Sequence, residues 1–298
     1  MSQRAEDAFR ADIVEVGRRM YARGYVASND GNISIRHEDD TILTTPKSVS
    51  KGFMTADMMV VVDLDGRKLR GTRDASSELL MHLEVYRNRP DVRAVVHAHP
   101  PTATGFAVAG IPLDRAVLAE VITTLGSIPI AEYGTPSTPE LPAAVRKYIK
   151  AHDGLLLANH GALTVGGDVY AAYYKMETIE HFAKISLVTR QLGREHLLSR
   201  QEVERLQQLR GSYGIKAPAP ICADGSQQPD DPAQCQIIEA PASRARLVPT
   251  DPAALREPQG RPEPGRGTDW DGEIRLSYRE LSALIEDAVK ALLGGQHG

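Results

Sequence analysis

Two cysteines, one tryptophan and four phenylalanines are all that this chain of 298 residues carries of those types. Cys222 and Cys235, both in a polar stretch, are too few for the disulfide framework of a small secreted protein, fit a reducing compartment, and read as bystanders. No run of about 18 apolar residues occurs, and the opening MSQRAEDAFRADI lacks the apolar segment of a secretion signal, so neither a membrane span nor export is expected. Positive charge is not in excess: 35 Lys and Arg against 39 Asp and Glu give a formal net charge of −4, which excludes the electrostatic footprint of a nucleic-acid binder. A soluble cytoplasmic protein is expected, with one sizeable globular domain plus appendages. Anionic small substrates stay open, since a local pocket can be positive on an acidic protein.

Periodicity organises the first two thirds. Phe9, Ile13, Val16 and Met20 recur at helical spacing, with Gly24 where a C-terminal cap belongs. A loop over residues 27–32 leads into short strands. Residues 42–45 and 59–64 read as extended, the second closed by an Asp65-Gly66 turn. Ser76 and Ser77 precede Leu79, Leu83 and Tyr86 on one helical face, the form of a capped helix start. Residues 94–99, too short and too β-branched for a helix, form a strand that ends at Pro100-Pro101. Further strands are expected at 128–133 and 155–158, with helices around 141–151, 169–192 and 201–209. Strands and helices mix without regular alternation, which predicts an α/β layered fold whose central mixed or antiparallel sheet is flanked by helices.

The chemistry-bearing residues sit at the seams of these elements. His97 and His99 are two apart on a strand, so both imidazoles project from one face and can share a metal ion. His160, in Ala158-Asn159-His160-Gly161 at the end of an apolar strand, is the best-placed third ligand; three protein ligands leave one position open, the pattern of catalytic zinc. A bare His-x-His pair is more often two hydrogen-bonded core histidines, the class to which His82, His152 and His181 are assigned. Glu78 follows the two serines, where an acidic residue ordinarily just meets the helix dipole. Its functional reading makes Ser76 and Ser77 an anion site and Glu78 the carboxylate facing the metal. The loops Asn29-Asp30-Gly31-Asn32 and Thr45-Pro46-Lys47-Ser48 could complete that anion pocket, although loops of this composition are usually only turns.

Taken in order, these segments resemble the class II aldolase/adducin family. The resemblance runs through Gly31-Asn32-Ile33-Ser34, Leu43-Thr44-Thr45-Pro46, Ser76-Ser77-Glu78, His97-Ala98-His99-Pro100, Pro129-Ile130-Ala131-Glu132-Tyr133 and Leu157-Ala158-Asn159-His160-Gly161-Ala162, and covers roughly residues 5 to 216. It implies a homotetramer with interfacial active sites, Zn2+ on His97, His99 and His160 (Mn2+ or Co2+ being alternatives), and Glu78 as acid/base. It also implies Asn29, Asn32, Thr45, Lys47, Ser76 and Ser77 around the substrate phosphate, and Tyr133 as a proton donor reaching a neighbouring subunit's site. The implied reaction is cleavage of a ketose 1-phosphate, such as L-fuculose 1-phosphate, to dihydroxyacetone phosphate and an aldehyde such as lactaldehyde. Lys47-Ser48 stands where aldolases of the family often have Thr-Gly, which keeps a decarboxylase of the same fold as an alternative. Glu78 speaks against the family's sugar-phosphate 4-epimerase, which has Asp there, and the three histidines speak against the non-enzymatic adducin heads.

Beyond residue 216 the composition turns to Pro, Gly, Gln, Asp and Arg, and periodicity vanishes through residue 268, the mark of a linker. Ser277 with Glu280 then forms a capping-box pattern, followed by Leu284-Ile285, Ala288-Val289 and Leu292-Leu293 at helical spacing. Three parts are therefore expected: a catalytic domain at 1–216, a linker at 217–268 and an amphipathic helix at 269–298. That tethered helix resembles the encapsulation peptides of bacterial microcompartment cargo, which would place the protein in a microcompartment lumen against shell proteins; the alternative is docking on its own tetramer.

Overall fold

A computed structural model describes residues 3–213 and 215. Among them the chain forms α1 (Gln3–Ala22), β1 (Asn32–Arg36), β2 (Ile42–Thr44), β3 (Val60–Val62), β4 (Lys68–Arg70), α2 (Leu79–Asn88), β5 (Ala94–Ala98), α3 (Pro101–Val108), α4 (Ala119–Thr124), β6 (Ile130–Ala131), α5 (Glu140–Arg146), β7 (Gly154–Leu157), β8 (Gly161–Gly166), α6 (Val169–Gln191) and α7 (Arg200–Arg210). One eight-stranded sheet has the order β4-β3-β2-β1-β5-β8-β7-β6. Its pairs are antiparallel except β6 with β7, so the sheet is mixed, as expected.

Side chains alternate across each strand, and the sheet is buried on both faces by this rule. Ala94, Val96 and Ala98 of β5 join Ile33, Leu43, Val61 and Leu156 in the core beneath α1, α3 and α6, where Ile13, Val16, Met20, Phe106, Tyr173 and Met176 cover them. The opposite parity, Val95 with Ile42, Val60, Leu155 and Leu163, packs under α2 and α5 through Leu83, Val85, Leu141 and Val145. His97 shares the parity of Val95 and so faces the α2 side. Gly24, at φ 69, closes α1 as its position suggested. The sheet's two edges are blunt: β4 is three residues, all exposed, and β6 is two.

Several elements differ from the sequence reading. The strand expected at 128–133 is confined to Ile130–Ala131, and Pro100-Pro101 starts α3 as well as stopping β5, because proline fits the first turn of a helix. β8 and α4 carried too little periodicity to be expected. Ser76 and Ser77 do not cap α2: Glu78 is the residue before it, without a side-chain cap, and Ser76 Oγ accepts a hydrogen bond from the Glu78 N–H at 3.3 Å. The expected linker, the expected C-terminal helix and both cysteines lie outside the described residues, as do residues 214 and 216 of the expected catalytic part. No described helix is long and apolar enough to cross a membrane.

Candidate active site

Antiparallel pairing of β1 with β5 sets Asn32 opposite His97, and pairing of β5 with β8 brings the β7–β8 turn, which carries His160, beside both. The three imidazoles converge: ring centroids are 4.9 Å apart for His97 and His99, 4.7 Å for His97 and His160, and 5.0 Å for His99 and His160. One nitrogen from each ring lies within 4.8 Å of the others. Gly161 permits this packing, since a Cβ there would stand 2.5 Å from the Ala98 carbonyl oxygen and 2.6 Å from His99 Cδ2.

The donor set fits a divalent metal. His97 Nδ1 is 2.9 Å from the Ala162 carbonyl, which can only accept, so the ring proton sits on Nδ1 and Nε2 presents a lone pair. That Nε2 lies 3.1 Å from His99 Nε2, whose other nitrogen faces Asp30 Oδ2 at 3.4 Å. Lone pairs converging this way repel unless a proton or a cation stands between them. Burial holds His97 well below the ordinary histidine value and lowers His99 as well, so both are neutral and ready to ligate.

Glu78 closes the other side. Its Oε1 is 3.0 Å from His160 Nε2 and its Oε2 is 3.4 Å from His97 Nε2. The first contact is off-line for a hydrogen bond, which leaves Oε1 buried without a partner. Oε2 accepts from the Asn32 side-chain amide at 2.8 Å. Burial pushes this carboxyl up, but His160 and the Asn32 amide, both facing it, help to outweigh that cost, and its pKa falls below the ordinary carboxylate value. The carboxylate is therefore ionised, held, and directed at the centre of the histidine cluster.

A cleft of about 230 Å³ opens from this cluster, and its wall includes Asn29, Asn32, Lys47, Ser76, Ser77 and Glu78. The structure thus brings together nine of the eleven site residues read from the sequence. Thr45 is buried and spends its hydroxyl accepting from the Ile33 N–H at 3.2 Å, and Tyr133 is 59% exposed; neither lies on this wall. His82 and His152 are hydrogen-bonded core histidines, as expected, whereas His181, assigned to the same class, is exposed on α6. Sequence reasoning missed Asp30 as the partner of His99, the Pro136–Ser137 wall, and Lys51, which is 2% exposed yet lines the cleft. Of the five non-glycine residues with positive φ among the described residues, Ser28, Ser48, Ser137 and Asn159 line the cleft or adjoin a residue that does; such strain is retained where surrounding structure enforces it. A larger cleft of about 880 Å³ along α6 has no comparable group of converging metal-ligand side chains among the described residues.

A family model for the class II aldolase and adducin N-terminal domain matches residues 11–187, and the chain belongs to that family. It is an enzyme of the aldolase type. The L-fuculose phosphate aldolase of Methanococcus maripaludis is 33% identical over 181 residues, 61% of this chain and 97% of that protein. The 3-oxo-tetronate 4-phosphate decarboxylase of Pectobacterium atrosepticum is 31% identical over 188 residues, 62% of this chain and 86% of that protein. Among solved structures, an L-fuculose 1-phosphate aldolase superposes with a TM-score of 0.65 at 28% identity, covering 70% of this chain and 96% of that one.

Proposed function

We propose that the protein is a zinc-dependent aldolase that cleaves a ketose 1-phosphate, L-fuculose 1-phosphate or a close relative, to dihydroxyacetone phosphate and an aldehyde such as lactaldehyde. The observation that carries this reading is the partly buried Glu78 carboxylate facing the convergent His97, His99 and His160 nitrogens. His97, His99 and His160 would hold a divalent ion, which would supply Lewis-acid polarisation of the ketose oxygens, and imidazole ligation favours zinc over Mn2+ or Co2+. Glu78 takes the hydroxyl proton as the carbon–carbon bond breaks; the electron pair stays with the phosphate-bearing half, and Glu78 returns the proton to that carbon. Asn32 keeps the carboxylate aimed throughout, and Asn29, Ser76 and Ser77 present polar groups to the phosphate. Thr45 supports that wall from behind, and Tyr133 is assigned to the site of a neighbouring subunit in a homotetramer.

An assay of dihydroxyacetone phosphate release from L-fuculose 1-phosphate and L-rhamnulose 1-phosphate tests this. Release should stop with chelator and fall roughly 100-fold or more in Glu78→Gln, the usual scale for a positioned acid/base. No release from either sugar by the metal-loaded enzyme sinks the aldolase reading. Exposed Lys47 on the cleft wall, which could grip a carboxylate, and the decarboxylase relative favour decarboxylation of a carboxylated substrate as the second reading. For the remainder of the chain the proposal is a linker at 217–268 and a helix at 269–298 that addresses the enzyme to a microcompartment shell.

A further inference from the structure

Lys51 opens a short 3-10 turn, Lys51–Phe53, at the base of the cleft. Its ammonium donates to the Val49 carbonyl at 2.6 Å and to the Asn29 carbonyl at 3.0 Å, tying together the two loops that form one side of the cleft. An ammonium has three N–H donors, so one is left over. Among the described residues no carboxylate comes within ion-pair distance of it; Asp30 and Glu78 act on it only from further away. A lysine that is 2% exposed, lines a cleft and lacks a counter-ion is costly to keep unless an anion arrives to pair with it. Lys47, by contrast, is exposed on the rim, where water screens its charge.

We propose that Lys51, rather than Lys47, is the cation that binds the substrate's phosphate group, with its third N–H directed to a phosphate oxygen. Carbonyls of Asn29 and Val49 hold the ammonium in place, so its charge is pre-organised for a dianion, whereas Lys47 would have to be ordered at each binding event. The pKa of Lys51, lowered to about 8 mainly by burial, is that of a charge still awaiting its partner. This assignment rests on the sugar-phosphate reading above and names the group within that site that reads the phosphate.

The test is calorimetric titration of the zinc-loaded full-length chain with dihydroxyacetone phosphate and, separately, with unphosphorylated dihydroxyacetone. Wild type, Lys51→Gln and Lys47→Gln are compared, with bound zinc measured in each. Loss of a charge-assisted contact in Lys51→Gln should weaken dihydroxyacetone phosphate roughly 10- to 100-fold, leave dihydroxyacetone within about twofold, and exceed the effect of Lys47→Gln. Equal weakening of both ligands would make Lys51 a loop clamp only, and unchanged phosphate affinity would remove it from the site; either overturns the assignment. Should Lys51→Gln not fold, a crystal structure of the wild type with inorganic phosphate decides the matter. A phosphate oxygen within hydrogen-bond distance of Lys51 Nζ supports the proposal, and phosphate seated on Lys47 alone defeats it. None of these readouts needs turnover, so failure of the aldolase assay is read independently.

Discussion

Asp30 stands behind His99 as the Ala162 carbonyl stands behind His97. Such outer partners fix the ring and its tautomer, so Asp30→Ala is expected to weaken zinc affinity roughly 10- to 100-fold in a competition titration, with the fold intact. An unchanged affinity would mean that packing against Gly161 alone positions the ring. Lys51 makes a second prediction at this scale. In the unfolded chain its pKa is the ordinary value of 10.5, and in the fold it is about 8. Below pH 8 both states are protonated and the fold bears the full cost of the buried charge, roughly 3 kcal/mol at about 1.4 kcal/mol per unit. Between pH 8 and 10.5 the unfolded state binds more protons, so stability rises with pH. Urea unfolding should show the wild type gaining on Lys51→Met across this window, and parallel curves would refute the buried-charge account. The three clustered histidines were legible in the sequence because each is tied to a strand or its end by a short, patterned motif. Asp30 and Lys51 were not, since each acts through a contact that only the folded loops create.

Between elements, the polar parity of β1 does for α2 what the converging histidines do for the site. Asn32, Ser34 and Arg36 share the face toward α2, and each reaches it: Asn32 to Glu78, Ser34 to both His82 Nδ1 at 2.7 Å and Tyr86 Oη at 2.8 Å, and Arg36 to the Tyr86 carbonyl at 3.2 Å. Ser34 is fully buried, and Ser34→Ala leaves an imidazole nitrogen and a phenol without their shared partner. That should cost about 1–3 kcal/mol in chemical denaturation, the usual penalty for a buried unsatisfied group; a loss below about 0.5 kcal/mol would show that water or repacking replaces it. The apolar half of this strand-and-helix contact was readable from Leu79, Leu83 and Tyr86 at helical spacing. The polar half was not, because a serine and a histidine 48 residues apart carry no mutual signal in one sequence. For the same reason α2's start was misplaced: the serines were read as caps, whereas in the structure the Ser76 N–H donates to the Thr45 carbonyl and Ser76 helps zip two loops together.

For the whole molecule, layered architecture followed from mixed helix and strand patterns, while strand order did not, since pairing of β1 with β5 and β5 with β8 joins segments far apart in sequence. The proposed division of the chain is tested by a variant ending at residue 216. On the proposed reading it should match the full chain in zinc binding, activity and oligomeric state, and lose only co-purification with shell proteins; a lower oligomeric state than the full chain's would assign the last helix to the enzyme itself. The blunt sheet edges have a consequence for solubility. One border is Lys68-Leu69-Arg70, exposed and with a charged residue at each end, and the other offers two residues, so neither presents a flat, uncharged row of backbone groups to a passing chain. Copies of this protein crowded at high concentration therefore have little to gain from strand-to-strand fusion, and a partly opened molecule meets charged, ion-paired side chains along its longer border before it can seed fibrous aggregates.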